Sequence, residues 1–308
     1  MILLGLGIPP SVIPKDCSWH DLRVPELPEV EAIATFLGDR MAGQTIDQLK
    51  MYSISALKTS DPPLAALSAQ TVQGWSRRGK FLLLDAGNVF LAVHLARAGW
   101  IRWSDELKPP TKPSLKGPLA AQLRLATGAG LSFTEQGTEK RLSIYLAREP
   151  QDVPGIARLG IDVLSDDFTP EYLAQVLSKG GNVKAALSDQ SRIAGIGNAY
   201  SDEILHAAKL SPFAPTSSLK QQTIVALHEA IKAVIGEAVD RARGLQLTEL
   251  KDDKRSHMKV HRREGEPCPV CGDKVRSVYY ASRNFQYCPT CQTKGKVLAD
   301  RRLSRLLR

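Results

Sequence analysis

The sequence predicts an α+β chain in three parts: a β-rich domain of antiparallel strands, a helical domain, and a small module organised on a metal. Three observations carry that expectation. Eight short strand-like runs, punctuated by glycines and charges, lie between Thr45 and Leu146; helical periodicity takes over beyond Pro150–Gly160; and two C-x2-C pairs stand sixteen residues apart near the end. At 308 residues and 43% hydrophobic content the chain can bury a core, and its length favours two domains over one.

Residues 1–24 hold Gly5, Gly7, Pro9, Pro10 and Pro14 without a clean period and read as irregular. From Pro28 to Ala42 the apolar positions Val30, Ile33, Ala34, Leu37 and Met41 follow helical spacing. Strands are expected at Thr45–Ile54, Thr71–Trp75, Phe81–Asp85, Val89–His94, Trp100–Trp103, Ala121–Ala126, Leu131–Thr134 and Leu142–Leu146, with spacings that suit an antiparallel sandwich or barrel. A proline- and lysine-rich loop, Lys108–Pro118, interrupts them. Helices are expected at Thr169–Ser178, Lys184–Asp189, Ala199–Ala208 and Ser218–Arg241. Thr169 followed by Pro170 is a good helix start, because the missing proline N–H costs nothing there. Two short strands are expected to flank the paired cysteines.

A net charge of +9 and a pI near 9.3 favour a polyanionic partner, nucleic acid ahead of a membrane surface. No apolar run approaches the ~18–20 residues needed to span a bilayer. The apolar opening Met1–Ile8 lacks both a preceding basic region and a following cleavage site, so no signal peptide is read there. A soluble, cytoplasmic protein is expected.

Cys268-Pro-Val-Cys271 and Cys288-Pro-Thr-Cys291 form C-x2-C-x16-C-x2-C, the spacing that lets two facing knuckles place four thiolates around zinc. A redox pair or coincidence competes poorly with two such regular pairs. Four thiolates leave zinc no open position, so its role is structural and chemistry must lie elsewhere. Cys17 is left over. Between the pairs lie Arg276, Tyr279, Tyr280, Arg283 and Phe285, and guanidinium groups on a rigid hairpin can grip phosphates.

Three further segments stand out. Ala194-Gly195-Ile196-Gly197-Asn198 lies between helical stretches, and such a turn can dock a phosphate on the backbone N–H groups of the following helix. Lys184, one helix earlier, can reach the same phosphate backbone. Pro25-Glu26-Leu27-Pro28-Glu29-Val30-Glu31 reads by itself as an acidic helix start, and Arg77-Arg78-Gly79-Lys80 as a charged hairpin turn.

Taken in order, P-E-L-P-E-V-E, R-R-G-K, K-x4-D-Q-x4-G-I-G-N-x-Y-x-D-E-I-L and R-x4-C-P-x-C-Q resemble the formamidopyrimidine-DNA glycosylase and endonuclease VIII family, from Pro25 to about Gln292. The resemblance implies an N-terminal β-sandwich with flanking helices over residues 25–150, a helix–two-turn–helix DNA-binding domain over 151–260, and a four-cysteine zinc finger with a basic tail over 261–308. It implies an oxidised-base glycosylase with a strand-cutting lyase activity, acting on damaged double-stranded DNA as a monomer and nucleoid-associated when bound. Pro25 resembles the nucleophile, provided it is the mature N-terminus. An N-terminal amine is far less basic than lysine, so part of it is unprotonated at neutral pH. Glu26 resembles the general acid, Glu29 a second carboxylate near the site, and Lys80 the hairpin lysine beside the lesion phosphate. Lys184, Asn198 and Arg283 match the phosphate grip, and Cys268, Cys271, Cys288 and Cys291 the zinc ligands.

Departures bear on the lesion. After His94-Leu95 the purine-specific members carry Gly-Met, whereas Ala96-Arg97 stands here, so Arg97 occupies the wedge position. Glu139-Lys140-Arg141-Leu142-Ser143 retains Arg141 from the family's D-P-R-R-F-G turn but not its phenylalanine. The loop that covers 8-oxoguanine is replaced by the shorter, polar Leu245–Lys259. Oxidised pyrimidines or ring-opened bases are therefore expected over 8-oxoguanine. A non-catalytic damaged-DNA-binding protein on the same scaffold, an 8-oxoguanine/formamidopyrimidine-specific enzyme and a zinc-ribbon RNA-binding protein are the alternatives. Residues 1–24 are expected to be missing from the working protein, since Val24 stands where the family has its initiator methionine.

Overall fold

The computed structural model describes residues 25–110, 117–280 and 283–299. The chain runs α1 (Leu27–Met41), β1 (Ile46–Met51), β2 (Gly74–Arg78), β3 (Phe81–Asp85), β4 (Phe90–His94), β5 (Gly99–Ser104), β6 (Leu119–Leu125), β7 (Gly130–Glu135) and β8 (Ser143–Ala147). It continues through α2 (Pro154–Ala157), β9 (Ile161–Asp162), α3 (Pro170–Ser178), α4 (Val183–Ser188), β10 (Ile193–Ala194), α5 (Asn198–Ala207), α6 (Gln221–Ala242) and α7 (Leu250–His257). The hairpin β11 (Arg276–Tyr280) and β12 (Arg283–Tyr287) and the short α8 (Pro289–Thr293) complete it.

Two four-stranded antiparallel sheets, ordered β2-β3-β4-β8 and β1-β6-β7-β5, face one another. Leu82, Leu84, Leu91, Val93, Ile144 and Leu146 of one sheet share a core with Ile101, Leu123, Leu131 and Phe133 of the other, which makes the pair a sandwich. α1 lies on this core through Val30, Ile33, Leu37 and Met41. Its first residue, Leu27, instead packs among Val163, Ile196, Tyr200 and Leu227 in the helical core. The head of α1 thus marks the joint between the two domains, and Pro25 and Glu26 sit at it, both buried.

Arg77 fastens the same joint. Its guanidinium lies 2.8 Å from Glu31 Oε2 on α1 and 3.0 Å from Asp162 Oδ1 on β9, and its side chain is 6% exposed. Here the structure departs from the expected turn. Arg77 and Arg78 belong to β2, paired with Leu82 and Phe81, and only Gly79-Lys80 turns, with Gly79 at φ +56°. Expected Thr71–Trp75 therefore shifts to Gly74–Arg78, because the two arginines gain ladder partners.

The larger difference is α7, which falls in the polar stretch read as a replacement loop. Leu250 enters the sandwich core and Met258, just beyond the helix, enters the helical core. Lys251 lies 3.9 Å over the Trp100 ring of β5. The helix is pinned across the joint from both sides. No helix among the described residues is long and apolar enough to cross a membrane.

Candidate active site

The site is assembled where the head of α1, the β2–β3 turn, the N-terminus of α5 and α7 converge. The first turn of α5 would leave its backbone N–H groups without intrahelical partners. Glu26 supplies the acceptor. Its carboxylate receives the N–H groups of Gly197 at 2.7 Å, Ala199 at 2.9 Å and Tyr200 at 3.3 Å. The chain can come this close because both glycines leave room: a Cβ at Gly197 would lie 2.3 Å from Glu26 Cδ, and one at Gly195 2.3 Å from Leu27 Cδ1. Gly195 also holds φ +107°, which side-chain-bearing residues rarely adopt. The turn expected to dock a phosphate therefore has these donors occupied by Glu26, a correction that follows from a carboxylate reaching the helix end first.

Burial pushes the Glu26 carboxyl upward, but Lys254, Lys80 and the Ala199 N–H outweigh it, and the net effect lies below the ordinary carboxylate range. Lys80 Nζ is 3.0 Å from the Ile196 carbonyl, on the same turn. Gln190 braces this turn as well, its Nε2 donating to Ile196 O at 2.6 Å and its Oε1 accepting the Gly195 N–H at 3.0 Å.

Glu29, 3% exposed, is enclosed by three donors. Its carboxylate accepts the Glu26 N–H at 2.7 Å, the Tyr200 hydroxyl at 2.8 Å and the Lys254 ammonium at 2.8 Å. Burial and the neighbouring Glu29 push the Tyr200 phenol well above its ordinary value, so it stays neutral and donates. Tyr200 and Lys254 escaped the sequence reading. The signal for Lys254 was present: with Leu250 four residues before and Met258 four after, it occupies the buried face of a helix.

Lys184 is 1% exposed and its ammonium is enclosed by the Asp202 carboxylate and the Asn198 carbonyl, the latter at 3.1 Å. Among the described residues Lys184, expected in the phosphate grip, is therefore buried and paired, because a buried ammonium requires a carboxylate partner and Asp202 supplies it. Asn198 Nδ2 donates to the Asn284 carbonyl at 3.2 Å, which ties the head of α5 to β12. Arg283 opens β12 opposite Tyr280, and its side chain lies outside the described residues. Arg97 is exposed in the turn after β4, next to Ala96 at φ +51°. Arg141 is also exposed, 3.1 Å from Glu139. Neither arginine touches Glu26 or Lys80 in this arrangement. The expected extension, residues 1–24, lies outside the described residues.

Cys268, Cys271, Cys288 and Cys291 place their four sulfurs within 4.8 Å of one another. Tetrahedral zinc with bonds of about 2.3 Å needs sulfurs roughly 3.8 Å apart. The donor set fits that ion. His206 of α5 reaches the cluster, its Nε2 3.3 Å from Cys268 Sγ, and Glu203 of the same helix accepts the N–H groups of Lys259, Val260 and His261 at 2.8 to 2.9 Å. One helix thereby links the acid site to the metal module.

Residues 24–140 match the formamidopyrimidine-DNA glycosylase N-terminal domain, residues 159–249 the formamidopyrimidine-DNA glycosylase H2TH domain, and residues 265–294 the zinc finger found in FPG and IleRS. A formamidopyrimidine-DNA glycosylase of Symbiobacterium thermophilum is 33% identical over 290 residues, covering 91% of this chain and 93% of that protein. A formamidopyrimidine-DNA glycosylase-like protein of Mycobacterium tuberculosis is 54% identical over 151 residues, 49% of this chain and 94% of that one. Among solved structures, Lactococcus lactis Fpg in complex with abasic-site DNA superposes with TM-score 0.78 at 26% identity, over 87% of this chain and 100% of that one. MutM (Fpg) of Thermus thermophilus gives TM-score 0.73 at 32% identity, over 87% and 98%.

Proposed function

The chain belongs to the formamidopyrimidine-DNA glycosylase family of base-excision-repair glycosylases, and from that premise we propose that it also cuts the strand, by β,δ-elimination, and prefers oxidised pyrimidines or ring-opened bases. The observation that carries the reading is the buried Glu26 carboxylate, fixed by three N–H groups beside Pro25 and facing the turn that Lys80 holds. A scaffold used only for binding has no need to enclose a carboxylate in this way.

In this reading the mature chain begins at Pro25, since a proline amide has no nucleophilic lone pair. Glu26 rests ionised, so it can take the proton of the Pro25 ammonium and then deliver it to the sugar ring oxygen. The freed amine attacks C1′ of the flipped nucleotide, the bond to the base breaks and the amine's proton leaves with the base. The C1′–O4′ bond then opens with the proton from Glu26 on O4′, which leaves an iminium. Elimination then breaks the C3′–O and C5′–O bonds in turn and regenerates the amine by hydrolysis. Lys80 supplies a cation for the adjacent phosphate. Damaged duplex DNA is the partner, bound by a monomer, and the four cysteines hold a structural zinc that keeps β11 and β12 in place. A cytoplasmic, nucleoid-associated enzyme fits this partner.

Borohydride trapping tests the reading. A chain begun at Pro25, incubated with abasic-site duplex and borohydride, is expected to form a covalent adduct mapping to Pro25. An adduct on a lysine, or none at all, overturns it.

A further inference from the structure

α7 brings a lysine into the acid site from a segment with no assigned part in it. Lys254 is 2% exposed, and its ammonium meets Glu29 Oε2 at 2.8 Å while lying 5.0 Å over the Tyr200 ring. The same Glu29 oxygen accepts the N–H of Glu26, the peptide that joins Glu26 to Pro25. Lys254 therefore stands two contacts from the proposed nucleophile, through a carboxylate with which it forms a buried ion pair.

We propose that Lys254 is a positioning residue for the reaction: it holds the Glu29 side chain in place, and through Glu29 fixes the Pro25–Glu26 turn in register with the head of α5. The inference rests on the lyase reading above. Three features support it. The pair is enclosed on both sides, with side-chain exposures of 2% and 4%, so solvent does little to weaken it. The helix that carries Lys254 is fixed at Leu250, Lys251 and Met258, so the ammonium is held without a long flexible reach. And a buried Glu29 without this cation would draw on the hydrogen bond to the Glu26 N–H alone with the Tyr200 hydroxyl, which gives it reason to turn toward water.

The charges that act on Glu26 come from several packed elements: Lys254 from α7, Lys80 from the β2–β3 turn, the Ala199 N–H of α5 and His261 beyond α7, while the Tyr200 hydroxyl donates to Glu29. Lys254 acts on Glu26 in the lowering direction, so removing it raises the carboxyl.

The test uses the chain begun at Pro25 with Lys254→Met, Lys254→Gln and Lys254→Arg, read in three ways. Trapping on a pre-formed abasic duplex is expected to slow by about tenfold or more in Lys254→Met, since a small misplacement of a reacting group is costly. Affinity for a duplex carrying a tetrahydrofuran abasic analogue is expected to stay within about threefold, because no phosphate contact is lost. The limb of the single-turnover pH profile set by Glu26 is expected to move to higher pH in Lys254→Met and Lys254→Gln and to return toward wild type in Lys254→Arg. A purely structural lysine would lower melting temperature without moving that limb. Should Lys254→Met fail to fold, Lys254→Gln, which keeps a donor for Glu29, carries the pH measurement. Wild-type trapping and an unmoved limb in a folded neutral variant overturn the proposal, whereas a wild-type chain that neither excises nor traps overturns the lyase reading itself.

Discussion

Glu26 and Gly197, 171 residues apart in the chain, are joined by a 2.7 Å hydrogen bond from the glycine N–H to a carboxylate oxygen. The bond exists because position 197 has no side chain: a methyl group there would lie 2.6 Å from each carboxylate oxygen. Gly197→Ala must push Glu26 from the head of α5, since the obstructing atoms are the carboxyl itself. We expect base excision to fall by about a hundredfold, with zinc content and duplex affinity close to wild type. Single-turnover excision beside a binding isotherm checks this, and an active Gly197→Ala enzyme would show that the cap is dispensable.

The metal module should govern grip more than chemistry. Cys268 and Cys288 are buried in a small core with Val260 and Val275, and the hairpin between the two cysteine pairs carries Asn284, whose carbonyl accepts from Asn198. Four-thiolate sites contribute folding energy directly. Cys288→Ser is therefore expected to loosen the β11–β12 hairpin and weaken duplex binding by about tenfold or more. Binding of abasic duplex at wild-type strength by metal-free protein would refute this.

For the lesion, 8-oxoguanine opposite cytosine is expected to be excised at least about tenfold more slowly than a hydantoin or hydroxyuracil. The motives are the exposed Arg97 at the wedge position and α7 within Leu245–Lys259, which takes the place of the family's covering loop. Single-turnover rates on matched single-lesion duplexes decide it, and equal rates would show that neither feature selects the base.

His94 gives the fold a pH dependence. Burial, and then the Lys80 charge, lower its imidazole from 6.5 to about 4. A histidine lowered in this way is neutral in the folded chain and charges more readily when unfolded. Its contribution is full above about pH 6.5 and is lost as pH falls toward 4, by up to about 3 kcal/mol. His94→Gln should melt with a flatter dependence between pH 6.5 and 4.5, measured by thermal denaturation. Parallel curves for the two proteins would place the acid sensitivity elsewhere.

Much of this was legible in the residues. The strands of the sandwich alternate or run apolar, the helices show their period, and the cysteine spacing specifies its own geometry. Pro25, Glu26, Glu29 and Lys80 came from ordered motifs, and the structure brings the latter three to one turn of α5. What the sequence hid was pairing across long separations. Lys184 reads as a phosphate contact, and the sequence does not show that Asp202, eighteen residues on, encloses it. The Gly195–Gly197 turn reads as a vacant anion site until Glu26 fills it. α7 was obscured by its composition: Lys251, Asp252, Asp253, Lys254 and Arg255 resemble a solvated loop, and only the Leu250, Lys254 and Met258 face betrays the helix.

The bond between Glu29 and Lys254 spans 225 positions, and this has a consequence for how the protein is made. Domains tend to fold in the order they leave the ribosome, at about 5–20 residues per second. The sandwich can close early, yet Glu26 gains its N–H partners only when α5 has emerged, and Glu29 its cation only after α7. For most of its synthesis the growing chain carries Pro25 and Glu26 without the geometry that arms them. A product that stalls before residue 250 would hold Glu29 without Lys254, so the joint between the two domains is completed last.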